Sequence, residues 1–148
     1  MLFALTERIG GLWQQIKRLG AEKPTVLAIT NNDRLANNLR VLAIQNAWEI
    51  RFATNLGQAL VRQPREGICV AVYDRDQGRV TDAVRQFSRS ESPVLTIVLS
   101  GRADASIRSA VIRCGGFDLV TAAGITRAVN AAIALVGEID SSEAPVHV

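Results

Sequence analysis

Apolar positions along this chain follow two rhythms, one suited to helices and one to buried strands. In the first stretch, LFALTERIGGLWQQIKRLG, Leu2, Leu5, Ile9, Leu12, Ile16 and Leu19 recur at alternating spacings of three and four. That alternation draws a heptad seam along one helical face, with Phe3 and Trp13 beside it. Gly10 and Gly11 each weaken such a helix by about 1 kcal/mol relative to alanine. Gly20 is a natural terminator, and AEKP reads as a linker.

Beyond residue 22 the rhythm changes to short β-branched runs separated by amphipathic stretches. TVLAIT (residues 25–30) is continuously apolar, the pattern of a strand buried on both faces of a parallel sheet. Asn31, Asn32 and Asp33 can cap the helix after it, whose apolar face includes Leu35, Leu39 and Leu42. WEIRFA (48–53) alternates and predicts a strand near a sheet edge, and LGQALVR predicts a helix that Pro64 punctuates. GICVAVYD (67–74) is the most apolar strand up to that point. RVTDAVRQF is the next helix, SPVLTIVLSG the fourth strand, ADASIRSAVIRC a helix closing on Gly115 and Gly116, and FDLVTA a fifth strand. Ile125, Val129, Ala132 and Val136 share one face of a last helix, and the polar SSEAPVHV reads as a frayed tail. Five strands alternating with helices predict an α/β domain, a parallel sheet covered on both faces, with right-handed crossovers. The chain divides into an N-terminal amphipathic helix over 1–22, one domain over 23–138, and a flexible tail over 139–148.

Composition narrows the functions. The 148 residues suit one domain, and 48% hydrophobic with 21% charged is the balance of an ordinary globular protein. The charge of +3 comes from scattered arginines, and aromatic residues are only 5%, so neither a basic stripe nor a stacking platform points to nucleic acid. No apolar stretch reaches the roughly 20 residues that cross a bilayer, and the N-terminus lacks the order of a signal peptide. Cys69 and Cys114 have no ligand-like spacing and read as free thiols, which fits a reducing cytoplasm. The one histidine, His147, lies in the polar tail, away from any catalytic context. Gly115 and Gly116 follow a helix and precede a strand, the wrong order for a phosphate-binding loop.

In an open parallel sheet, ligands collect beyond the carboxyl ends of the strands. Those ends are Thr30, Asn31, Asn32 and Asp33; Asp74, Arg75 and Asp76; Ser100, Gly101 and Arg102; and Thr121, Ala122 and Ala123. This order resembles the response-regulator receiver domain of two-component signalling, over most of the chain. The apolar strand ending VAVYD puts Asp74 where receivers carry the phosphoacceptor. VLTIVLSG puts Ser100 at the switch hydroxyl, and GGFDLV is similar to the glycine-acidic lead into the last strand. The resemblance implies a flavodoxin-like fold with strand order 2-1-3-4-5, a weak Mg²⁺ site drawn from Asp74, Asp33, Asn31 and Asp76, and no enzymatic activity. It also implies protein partners, a histidine kinase among them, and signalling through protein contacts.

The departures are specific. Thr30 and Asn31 occupy the positions of the family's acidic pair. Ala122 replaces its lysine, a cation that neutralises phosphoryl oxygens, and Ala123 replaces the proline after it. Arg102 could supply charge only by reaching across from strand four. Leu119 stands at the aromatic switch position, and the loop DRDQG is short and lacks the usual proline. The reading that follows is a stand-alone receiver-like regulator with degenerate phosphorylation at Asp74. The alternative is a phosphorylation-independent dimerisation or scaffold module. The N-terminal seam predicts a coiled coil that makes a homodimer, a helix docked on its own domain, or a membrane-surface contact helped by Arg8, Lys17 and Arg18.

Overall fold

The computed structural model describes residues 23–63, 69–90 and 94–143, with side chains to residue 137. The N-terminal helix read over 1–22 and the tail residues 144–148 lie outside the described residues. Within them the elements run β1 (Thr25–Ile29), α1 (Asp33–Asn46), β2 (Glu49–Ala53), α2 (Leu56–Arg62), β3 (Cys69–Asp74), α3 (Val80–Arg89), β4 (Leu95–Leu99), α4 (Ala105–Arg113), β5 (Asp118–Val120) and α5 (Ile125–Glu143). Short 3₁₀ turns cover Arg75–Gln77 and Ala122–Gly124. The strands form one parallel sheet in the order β2-β1-β3-β4-β5, the predicted doubly wound, flavodoxin-like topology, with the alternating WEIRFA strand at an edge.

Alternate side chains of each strand feed opposite faces, as the period of two demands. Val26, Ala28, Val70, Val72, Ile97 and Leu99 pack with Leu39 and Ala43 of α1 and with Ile125, Val129, Ala132 and Ile133 of α5. On the other face Leu27, Ile29, Ala71 and Tyr73 meet Ala59 of α2 and Ala83 and Phe87 of α3. Val98 and Leu119 meet Val84 and, from α4, Val111. Every residue of β1 and β3 is buried. That explains why residues 26–29 and 69–73 are apolar, with buried polar residues only at the run ends, Thr25 and Asp74.

The boundaries differ from the sequence reading where a local bond decides them. Of the three capping residues, Asn32 does the work: its side chain accepts from the backbone N–H of Arg34 and Leu35, and Asp33 becomes the first helical residue. Trp48 is withheld from β2 because its N–H closes α1 on the Ala43 carbonyl. β5 is only three residues long, since the chain turns into the 3₁₀ segment after Thr121. α5 continues to Glu143, five residues into the stretch read as a tail. Nothing there stops a helix until Pro145, which disfavours helical geometry at the residue before it. Among the described residues no helix is long and apolar enough to cross a membrane.

The glycine pair after α4 has a packing reason. Gly115 has φ +98, and Gly116 donates to the Val111 carbonyl at 2.9 Å. A Cβ on Gly116 would lie 2.5 Å from Val111 Cγ1 and 2.9 Å from the Val111 carbonyl oxygen. Gly116→Ala is therefore expected to cost about 1–3 kcal/mol in urea unfolding. Gly101→Ala, which meets nothing within 4 Å, should stay within about 0.5 kcal/mol of the parent.

Burial pushes the Cys69 thiol up to about 12 against the ordinary 9.0, with the Arg51 charge opposing it. The raised value means the folded state holds this proton longer than the unfolded chain. Its contribution to stability is complete below about 9 and is lost as pH rises toward about 12. With Ellman's reagent at pH 8, the native protein should expose Cys114, which is half-buried, while Cys69 reacts only on unfolding.

Candidate functional site

The site is built where β1 and β3 leave the sheet together. Ile29 pairs with Tyr73 in the parallel register, so Thr30 and Asp74 emerge side by side. Both are buried, at 6% and 7% exposure, in a region where an unpaired polar group is costly. They satisfy each other: the Thr30 hydroxyl donates to Asp74 Oδ2 at 2.6 Å. The other oxygen, Asp74 Oδ1, accepts the backbone N–H of Asp76 at 3.0 Å, which caps the 3₁₀ turn Arg75–Gln77. The Thr30 oxygen in turn accepts the N–H of Asn32 at 3.0 Å, tying the site to the start of α1. Tyr73 anchors the far side of the loop through a 2.6 Å bond from its hydroxyl to the Gly78 carbonyl. Its phenol is raised above the ordinary value, by burial first and by the Asp74 charge second.

A second polar group lies across the sheet at the end of β4. The Ser100 hydroxyl donates to the Arg102 carbonyl at 2.8 Å and accepts from the Arg75 guanidinium at 3.1 Å. Arg75 also reaches Asp104 Oδ2 at 3.5 Å. The backbone N–H of Ile107, at the start of α4, holds the Asp104 carboxyl below its usual range, and Arg75 adds to that. Arg75 thus bridges the loop after β3 to the loop after β4.

Around Asp74 the surface is concave. One open cleft of about 440 Å³ is lined by Asn31, Asn32, Asp74, Asp76 and Gln77. An adjoining hollow of about 320 Å³ brings Asp74 and Asp76 together with Ser100, Thr121, Ala122 and Ala123. Asp74, Asp76, Asn31 and Ser100 therefore converge as the strand-end argument requires. Asp33 does not line either hollow. It sits exposed in the first turn of α1, where a carboxylate is favoured by the helix dipole. Ala122 lies at the lip of the hollow and offers no cation. Arg102 is exposed, and its contacts with Ser100 run through its backbone. Among the described residues no three His, Cys, Asp or Glu side chains converge as a metal-binding group; the carboxylates of the cleft are Asp74 and Asp76.

Two participants, Gln77 and Asp104, were not singled out from the sequence. Gln77 carried no signal. Asp104 and the bridging role of Arg75 depend on a loop-to-loop approach. Thr30 as the partner of Asp74 was legible in principle: both residues are the first polar positions after apolar runs that pair in register.

No protein-family model matches the chain, and no curated protein is significantly similar to it. Comparison of folds finds response regulators. A response regulator from Thermotoga maritima superposes with a TM-score of 0.68 at 17% identity, covering 76% of this chain and 99% of that one. A receiver domain protein from Clostridium thermocellum gives 0.68 at 18%, covering 78% and 98%. The receiver domain of Saccharomyces cerevisiae Ssk1, crystallised with the histidine phosphotransfer protein Ypd1, gives 0.56 at 18%, covering 68% and 79%. The likeness is one of fold: this chain has the response-regulator receiver fold.

The Thr30–Asp74 bond should be measurable. Thr30→Val removes the donor while keeping the shape, and is expected to cost about 1.5–3 kcal/mol in urea unfolding. In an Asp74→Asn background the same change should cost at least about 0.5 kcal/mol less, a coupling that a double-mutant cycle reads directly.

Proposed function

We propose that this chain is a receiver-type signalling domain that works through protein contacts, with a phosphoacceptor position, Asp74, held in one state by internal bonds. The observation that carries this reading is the 2.6 Å bond from Thr30 to Asp74. In the family it resembles, the position of Thr30 contributes to an acidic pair that holds Mg²⁺. Here the position supplies a hydroxyl that occupies the acceptor carboxylate itself. A phosphoryl group on Asp74 also needs cationic neutralisation, since positioning and electrostatics carry phosphoryl transfer. Ala122 provides none, and Arg75 is already engaged by Ser100 and Asp104.

The same bridge supports a fixed output surface. In the switching mechanism that the resemblance implies, the hydroxyl at the end of β4 moves toward the acceptor. Ser100 instead accepts from Arg75 and donates to the Arg102 carbonyl, which anchors the loop leading into α4. The module then presents one surface to its partner irrespective of phosphorylation. A partner of the histidine-kinase or phosphotransfer kind is in keeping with the yeast receiver, which was crystallised with its phosphotransfer protein.

A second reading is favoured by the open cleft over Asp74. Mg²⁺ needs only one or two carboxylates and keeps several waters. Asp74 and Asp76, with the Asn31 side-chain oxygen, form a donor set that fits a hydrated ion. That ion would supply part of the missing positive charge, and Asp74 would then act as a slow phosphoacceptor.

Incubation with acetyl phosphate and Mg²⁺, read by intact mass beside a competent receiver, separates the two. The expected result is no phosphoryl gain under conditions that load the control fully. A gain of one phosphoryl group that disappears in Asp74→Asn would overturn the held-state reading and establish the second.

A further inference from the structure

An apolar groove of about 360 Å³ lies at the opposite end of the sheet from Asp74, lined by Lys23, Arg40, Ala43, Ile44, Ala47, Trp48 and Ile50. Ile44 of its wall, with Val41 beyond the lining residues, leaves an apolar strip on the α1 surface. Ile44 is 83% exposed, and Val41, one turn earlier on the same face of α1, is 53% exposed. Apolar side chains this open along one helical strip ask for a covering element. The groove floor is firm: the Trp48 indole donates to Asn130 of α5 at 3.0 Å, and Arg40 lies over the Phe52 ring at 4.6 Å.

We infer that residues 1–22 of this chain dock their apolar seam into this groove. The argument is where that segment ends. Lys23, the residue that follows it, is itself part of the groove wall. Only Gly20, Ala21 and Glu22 separate it from Leu19, the last residue of the seam. A tether this short gives the seam a high effective concentration at the groove. The seam also has little capacity to stand alone, being under three heptads and interrupted by Gly10 and Gly11. A prebuilt apolar surface suits it better than a second copy of an equally weak helix. The direction follows as well. α1 ends at Asn46, beside the groove, and the segment ends at Lys23 in its wall, so the two run parallel. Leu19 then meets the Ala47 and Trp48 end, Ile16 meets Ile44, and Leu12 meets Val41.

The test is hydrogen exchange of the full chain at a concentration where sedimentation shows a monomer, on wild type and on Ile44→Glu, Val41→Glu and Ile16→Glu. Ile44 and Val41 are exposed and Ile16 precedes the domain, so the exchange of β1 and β3 amides should be unchanged in all three variants. Docking predicts protected amides over residues 12–19 in the wild type and at least a tenfold loss of that protection in each variant. It also predicts a shift of Trp48 emission in Ile16→Glu when Trp13 is replaced by Phe in both proteins. Three outcomes would overturn the inference: no protection of 12–19 in the monomer, protection that grows with protein concentration and survives Ile44→Glu, or protection that appears only with anionic vesicles.

Discussion

Ile29 lies beside Tyr73 in the parallel ladder, so the next residues, Thr30 and Asp74, reach the end of the sheet in register and with nowhere to go but toward each other. Both strands are buried throughout, which denies either polar group a water partner along most of its surface. A carboxylate in that position must find donors, and it finds a hydroxyl on one oxygen and a backbone N–H on the other. The loop after β3, the start of α1 and the mouth of the cleft are all arranged around those bonds. What distinguishes this site is thus a choice of residue at one strand end, made in a fold that leaves the neighbouring strand end fixed.

The architecture was legible because each level of the sequence agreed with the others. The unbroken runs at residues 25–29 and 69–74 are the doubly buried strands. The alternating strand at 49–53 is the edge, and the Leu35, Leu39 and Leu42 stripe is the inner face of α1. Boundaries were less legible, because single bonds set them, such as the Trp48 N–H closing α1. At the site, Asp74, Asp76, Asn31 and Ser100 were readable as strand-end residues, since topology alone brings them together. Asp33, expected beside them from its place in the sequence, is the exposed first residue of α1 and lines neither hollow. The Arg75 bridge could not be read, because it depends on how two surface loops approach each other.

The fold carries two ends of different character. The carboxyl end of the sheet is polar, concave and cross-tied by Thr30, Arg75, Ser100 and Asp104. The amino end is apolar and open, with Trp48 and Ile44 around the point where the first 22 residues join. The first end gathers the carboxylates of Asp74 and Asp76, and the second leaves the Ile44 side chain open. β1 and α1 run between them.

Arg51 of the edge strand and Arg62 of α2 have a consequence of their own. β2 borders the sheet on one side, and an uncovered border strand is an invitation to pair with another chain. Here Arg62 of α2 donates to the Phe52 carbonyl, and Arg51 of the strand donates back to the Arg62 carbonyl at 3.3 Å. The charged guanidinium groups stand where an incoming strand would need bare backbone and a flat approach. The Phe52 carbonyl is thereby withheld from an incoming strand on this side of the sheet.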